Sequence, residues 1–181
     1  MSAPASHPVA ADLLAAVLAP YKPNCRYLHQ AVVEVPGGEG PLVLARGEFG
    51  IPESCYIDDT GHFNSVEFNL CYNQLVYTLM AQCVAADLLP AFSAWTVDEY
   101  LARQLPDVLI HEFSSKFKRP MDMRRFTGEV AIAEARDRRR FLFLRTTCRF
   151  WDEAGGESEG EISLAIVDRA AVPAPTPAGE D

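Results

Sequence analysis

An α+β fold, one long helix with an antiparallel sheet, is what this sequence predicts, and three observations predict it. Ser65 to Leu89 holds no Gly or Pro and carries apolar residues at helical steps. Two extended runs rich in β-branched residues come before it and four more follow, separated by turn signals. The chain of 181 residues, 49% of them hydrophobic, can fill one full-sized core and is too short for two ordinary domains.

The elements follow in order. Residues 1–9 read as a tail rich in Ala and Pro, 10–169 as the single domain, and 170–181 as a second Ala/Pro-rich tail. Ala10 to Leu18 places Leu13, Leu14, Val17 and Leu18 at helical spacing and stops at Pro20, a short capping helix. Arg26 to Val35 and Pro41 to Gly47 form a hairpin around Pro36-Gly37-Gly38. The glycines of Gly47-Glu48-Phe49-Gly50 lack phosphate-cradle spacing and read as breaks in the second strand. Ile51 to Asn64, with Pro52, Asp58-Asp59 and Gly61, is a loop dense in polar and aromatic side chains.

In the long helix Val66, Leu70, Tyr77, Met80, Ala81 and Val84 make a continuous apolar stripe, and Asn64 or Ser65 is its N-cap. Thr96 to Gln104 adds a short helix with Thr96 as cap and Glu99 at the capping-box position. The strands after it are Val108 to Arg119, Arg124 to Ala135, Arg140 to Glu153 and Glu161 to Asp168.

Composition excludes several classes. A formal charge of -9 argues against a nucleic-acid partner, and the basic run Arg136 to Arg140, interrupted by Asp137, reads as a solvated hairpin end. Cys25, Cys55, Cys71, Cys83 and Cys148 are odd in number and lie far apart without metal-ligand spacing, so they read as reduced cytosolic thiols and no metal is expected. Met1 to Ala19 has no positive n-region and Asp12 breaks its apolar run, which argues against a signal peptide or membrane span.

The element order resembles a hot-dog fold, a curled antiparallel sheet wrapped around one long helix. The segment Cys55-Tyr56-Ile57-Asp58-Asp59-Thr60-Gly61-His62-Phe63-Asn64-Ser65-Val66-Glu67-Phe68-Asn69, continuing through Tyr72-Asn73-Gln74, resembles the FcoT-like branch of that superfamily, as does Ser114-Ser115-Lys116-Phe117-Lys118-Arg119-Pro120. That branch holds long-chain acyl-CoA thioesterases and enzymes that add glycine to an α,β-unsaturated acyl-carrier-protein thioester. The resemblance covers most of residues 20 to 168. It implies that Tyr56, Asn64 and Asn73 line the thioester pocket, with His62 between two of them.

Thioester chemistry needs a polarised carbonyl oxygen and a group that moves a proton. The amides at the start of the long helix favour an anionic oxygen and Asn64 adds a donor, although Asn64 is equally an ordinary N-cap. The imidazole of His62 can take a proton from the glycine ammonium, or activate water. Tyr56 can orient substrate or fill space. His62, Asn64 and Tyr56 are therefore the catalytic candidates, and Asn73, Tyr27, Ser115 and Glu67 the substrate-binding ones.

For each of the latter a bland reading stands beside the functional one. Glu67 suits the helix dipole whatever its role, Tyr27 shares a strand face with His29 where aromatics are usually core, and Asn73 lies one turn from Asn69 on a buried face. Ser115 shares a face with Phe113 and Phe117. Lys116, Lys118 and Arg119 suit a phosphate or an acidic carrier, or a solvated strand edge.

The reading that results is conjugate addition of glycine to an α,β-unsaturated acyl-carrier-protein thioester, followed by hydrolysis to an N-carboxymethyl β-amino acid. Plain hydrolysis of an acyl-CoA or acyl-carrier thioester is the first alternative, and a non-catalytic acyl-binding module the second. Glycine and a carrier protein or CoA thioester are the expected partners, with no nucleic acid and no membrane. No cofactor is expected beyond the phosphopantetheine that carries the substrate. A cytoplasmic homo-oligomer is expected, the last by resemblance.

Overall fold

The computed structural model describes residues 5–38, 40–58 and 61–167. Its elements are β1 (Ala5–Pro8), α1 (Ala11–Leu18), β2 (Leu28–Val35), β3 (Val43–Phe49), α2 (Ser65–Ala85), α3 (Val97–Arg103), β4 (Val108–Arg119), β5 (Phe126–Asp137), β6 (Phe141–Trp151) and β7 (Glu157–Val167). Single 3-10 turns at Pro23–Cys25 and Pro90–Phe92 join them.

The strands form one sheet in the order β1-β2-β3-β5-β6-β7-β4, with every pair antiparallel. The chain leaves β3 near one side, runs through α2, and enters β4 at the opposite edge; β5 to β7 then fill the space between. Because α2 packs on β2, β3 and β5, and also reaches β6 through Tyr72 on Thr146 and β4 through Phe68 on Phe113 and Phe117, the sheet curls around it.

Burial of α2 follows from its composition. From Tyr72 to Cys83 it is buried on nearly every side, polar Gln74, Thr78 and Gln82 included. A helix this enclosed must satisfy its polar groups internally. Thr78 Oγ1 donates back to Gln74 O at 2.7 Å, and Tyr72 Oη meets Thr146 Oγ1 at 2.8 Å. Gln74 does the most: its Oε1 accepts from the amides of Tyr27 (2.9 Å) and Leu28 (3.0 Å) while its Nε2 donates to Cys25 O at 2.6 Å, tying the entry of β2 to the helix.

The aromatic side of the core lies at the start of α2. Phe63, Phe68, Phe126 and Phe150 pack ring against ring, with Phe49 stacked on Phe126 at 5.2 Å. Gly128 makes the space: a Cβ there would stand 2.6 Å from the Phe150 ring.

Several expected boundaries move, each for a physical reason. Ala5–Pro8 is a strand paired with Val32–Val35, so the domain starts before residue 10; its Ala/Pro composition gave no strand signal. The tail 170–181 lies outside the described residues. The long helix ends at Ala85, short of Leu89, because Asp87 takes a left-handed φ of 50° and Leu88 N returns to Cys83 O at 3.0 Å. Gly47 sits inside β3 opposite Gly128 and does not break it.

Strand β7 begins at Glu157, four residues before the expected Glu161. Outward Glu157, Glu159 and Glu161 alternate there with small Ser158 and Gly160, so no apolar period marks the strand; pairing with Lys118, Arg119 and Arg149 holds it instead. The capping box of α3, Thr96 with Glu99, forms as read. No helix among the described residues is long and apolar enough to cross a membrane.

Candidate active site

Asn64 caps α2. Its extended backbone sets the side chain beside the first turn, where Oδ1 accepts from Val66 N at 2.8 Å. The same Oδ1 accepts from Tyr56 Oη at 3.1 Å, which closes the ends of the Tyr56 to Asn64 loop on each other. With its oxygen committed twice, Asn64 presents Nδ2 as its donor end. The amides of Ser65 and Glu67 have no acceptor within the helix, as at any N-terminus, and the helix dipole makes this end positive.

A cleft of about 430 Å³ opens beside this helix end, walled by His62, Asn64, Ser65, Phe117, Lys118, Arg119 and Pro120 over a floor of Phe63, Met121 and Ser158. His62 is exposed at its mouth and also lines an adjoining cleft with Asp122 and Arg124. The cleft is therefore polar at the rim and apolar below. Lys118 is paired with Glu157 (3.2 Å) and Glu159 (2.5 Å), and Arg119 with Glu157 (3.3 Å), so the rim cations are oriented by carboxylates behind them.

The segment after β4 is fastened to the loop. Phe63 N donates to Met121 O at 3.2 Å and Ile51 N to Met123 O at 2.8 Å. Asp152 in turn holds this segment, its Oδ2 accepting from Asp122 N (2.7 Å) and its Oδ1 from Gly156 N (2.7 Å). Burial opposes ionisation of Asp152, yet the surrounding amides of Asp122, Gly156, Ala154 and Gly155 win and keep its carboxyl below the usual range.

Of the residues singled out from the sequence, His62 and Asn64 share the cleft, and Tyr56 reaches them through Asn64 while itself lining a neighbouring cleft with Ser54, Cys55 and Asp58. The other candidates lie elsewhere. Glu67 is only 1% exposed and lies under the loop, with Oε1 accepting from Ser54 Oγ at 2.9 Å. Asn73 is half-buried and donates to Asn69 Oδ1 at 3.2 Å. Ser115 sits on β4 opposite Gly160, between Phe113 and Phe117, whose rings face Phe68.

Tyr27 and His29 do not share a face. A register shift between Leu28 and Gln30 separates them, burying Tyr27 and leaving His29 exposed beside Arg124 and Trp151. Burial, with the Cys55 thiol next to it, raises the Tyr27 phenol far above its ordinary range. All five cysteines are free, and burial pushes Cys25 up to about 11 and Cys83 up to about 12, so both stay protonated near neutrality and are poor nucleophiles. Phe63, Met121 and Ser158 were not singled out. Phe63 lies in a loop, where no periodicity marks a buried ring, and Ser158 lies in a strand without apolar alternation.

The fold has counterparts among solved structures. It superimposes on the dehydratase domain of RzxB from Pseudomonas fluorescens with a TM-score of 0.57 at 11% identity, covering 88% of this chain and 49% of that one. A protein from Syntrophus aciditrophicus SB assigned as a thioesterase gives 0.51 at 11% identity, covering 86% and 97%. Sheet order, enclosed helix and these neighbours define a hot-dog fold. The FcoT-like thioesterase domain model matches residues 16–166, and the chain belongs to that family. It is 47% identical over 161 residues to a (2E)-enoyl-ACP glycyltransferase of Streptomyces coeruleorubidus, covering 86% of this chain and 96% of the relative. An enzyme of the same name from Mycobacterium bovis is 39% identical over 165 residues, covering 89% and 88%.

Proposed function

We propose that this chain is an enzyme that adds glycine to the β-carbon of an α,β-unsaturated acyl-carrier-protein thioester and then hydrolyses the thioester to an N-carboxymethyl β-amino acid. The observation that carries the reading is the cleft in which His62, Asn64 and the positive end of α2 meet over a floor of Phe63, Met121 and Ser158. The relatives' names supply the glycine and the carrier; the cleft supplies chemistry that fits them.

In the first step the glycine amine, its proton taken by His62, forms the bond to the β-carbon. The electron pair moves to the thioester oxygen as an enolate, and the α-carbon then takes the proton from the His62 imidazolium, which restores the base. In the second, water activated by His62 attacks the carbonyl and the carrier thiol leaves. Both steps place negative charge on one oxygen, which the α2 amides and Asn64 Nδ2 stabilise. Tyr56 holds Asn64 in place through the shared Oδ1 bond, and the Lys118 and Arg119 rim suits the phosphate of the pantetheine arm.

The test is incubation with crotonyl carrier protein with and without glycine, following mass and free thiol. Glycine-dependent formation of the N-carboxymethyl amino acid is expected. Thiol release that ignores glycine, with no such product, would replace this reading with plain hydrolysis.

The acting unit is a homo-oligomer. β4 ends the sheet, and along it Leu109, Ile110 and Phe117 are all exposed, Phe117 also walling the cleft. This strand edge is twelve residues long and partly apolar, and we infer that it pairs with the same edge of a second copy.

A further inference from the structure

We propose that Ser158 contacts the substrate, donating a hydrogen bond to the thioester carbonyl oxygen from the floor of the cleft. The proposal rests on the acyl-thioester reading above and adds a residue to it.

Ser158 lies in β7 between Phe117 of β4 and Phe150 of β6, on the side of the sheet that faces α2. It is 1% exposed, and its hydroxyl has no hydrogen-bond partner among the described residues. A buried hydroxyl without a partner is destabilising, and alanine would fill the same strand position without that cost. Packing therefore gives no reason for the oxygen. Its position does: Ser158 lines the same cleft as His62, Asn64 and Ser65.

The rest of the floor, Phe63 and Met121, has no polar side-chain group to offer. The acyl part of an enoyl thioester carries one polar atom, the carbonyl oxygen, and that atom gains charge in both proposed steps. A carbonyl placed against the start of α2 has donors on the helix side from the amides and Asn64, and on the sheet side, below the Lys118 and Arg119 rim, from Ser158. Binding requires rotation of the Ser158 hydroxyl about χ1 toward the cleft and no bond rearrangement.

The test is Ser158→Ala, read in three ways on the full chain. Removing an unpartnered hydroxyl should leave the melting temperature unchanged or raise it. Removing an oxyanion donor should lower kcat/KM on crotonyl carrier protein by about tenfold or more, mostly through kcat, and equally for glycine addition and for hydrolysis. A ketone analogue of butyryl-pantetheine, saturated at the β-carbon and with CH2 in place of the sulfur, can neither accept glycine nor release thiol and should bind several-fold more weakly to the variant. Wild-type kcat/KM and wild-type ketone affinity in the variant would overturn the proposal, as would a fall in melting temperature, which would make the hydroxyl structural. If the wild-type chain releases thiol without adding glycine, the glycine reading fails while the Ser158 comparison still decides. If the wild-type chain neither turns over nor binds the ketone, both readings fall.

Discussion

Asn64 caps α2 and stands at the proposed oxyanion position, and two substitutions separate those roles. Asn64→Ala removes the acceptor of Val66 N and of Tyr56 Oη together. The lost cap is worth about 1 kcal/mol. The Tyr56 bond, made by a side chain that is 49% exposed, adds about 0.5 kcal/mol. A total near ~1.5 kcal/mol lowers the melting temperature of a domain this size by roughly 3–6 °C.

Asn64→Asp keeps the acceptor, and its charge favours the helix N-terminus, so its melting temperature should stay within about 2 °C of wild type. Yet it replaces a donor with an anion where negative charge develops. Turnover should fall by about a hundredfold or more, roughly 2.7 kcal/mol of transition-state stabilisation. Differential scanning fluorimetry and steady-state thiol release measure the two quantities on the same preparations. Asn64→Asp with wild-type turnover would refute the oxyanion assignment, and Asn64→Asp as unstable as Asn64→Ala would refute the cap.

Gln74→Leu orphans two buried amides and one carbonyl at the entry of β2, so urea unfolding should show a loss of about 3–5 kcal/mol; a loss under about 1 kcal/mol would mean the tie is dispensable. Asp152 has a folded-state pKa below its unfolded value of about 3.9, so its contribution is present above that pH and vanishes as pH falls through the folded value. The stability gap between wild type and Asp152→Asn should therefore be full at pH 7 and close below the unfolded value, by urea midpoints; a gap independent of pH would contradict the assignment. Ile110→Lys puts a charge on the open β4 edge, where Ile110 is 41% exposed, and should give a monomer by light scattering with reduced turnover; an unchanged oligomer would place the interface elsewhere.

The sequence yielded what periodicity and capping chemistry encode. Asn64 before a stretch without Gly or Pro that carries apolar residues at helical steps marks the start of α2, and Thr96 with Glu99 marks α3, because each signal is local and each side chain acts within one turn of itself. The cleft is different. His62 and Asn64 come from one loop, but the opposite wall comes from the end of β4 and one residue of the floor, Ser158, from β7, about a hundred residues later in the chain. Residues that meet through sheet order rather than through spacing leave no period to read. Their placement is a consequence of β4 crossing to the far edge, which brings Phe117 and Ser158 side by side.

Gln74 and Glu67 show the same limit from the other side. Both are polar residues of α2 that become buried, yet Gln74 is satisfied by the backbone at the entry of β2 while Glu67 is met by Ser54 from the loop. Within the helix pattern nothing distinguishes a polar residue that fastens an element from one that faces a ligand, because the difference lies in which distant group arrives opposite it. That is also why Ser158 stands out only in the folded chain. Its neighbours in sequence, Glu157 and Glu159, describe a solvated acidic strand, whereas its neighbours across the sheet are Phe117 and Phe150. Only that lateral setting makes an ordinary serine a buried hydroxyl without a partner among the described residues, beside the cleft where the proposed acyl oxygen would need a donor.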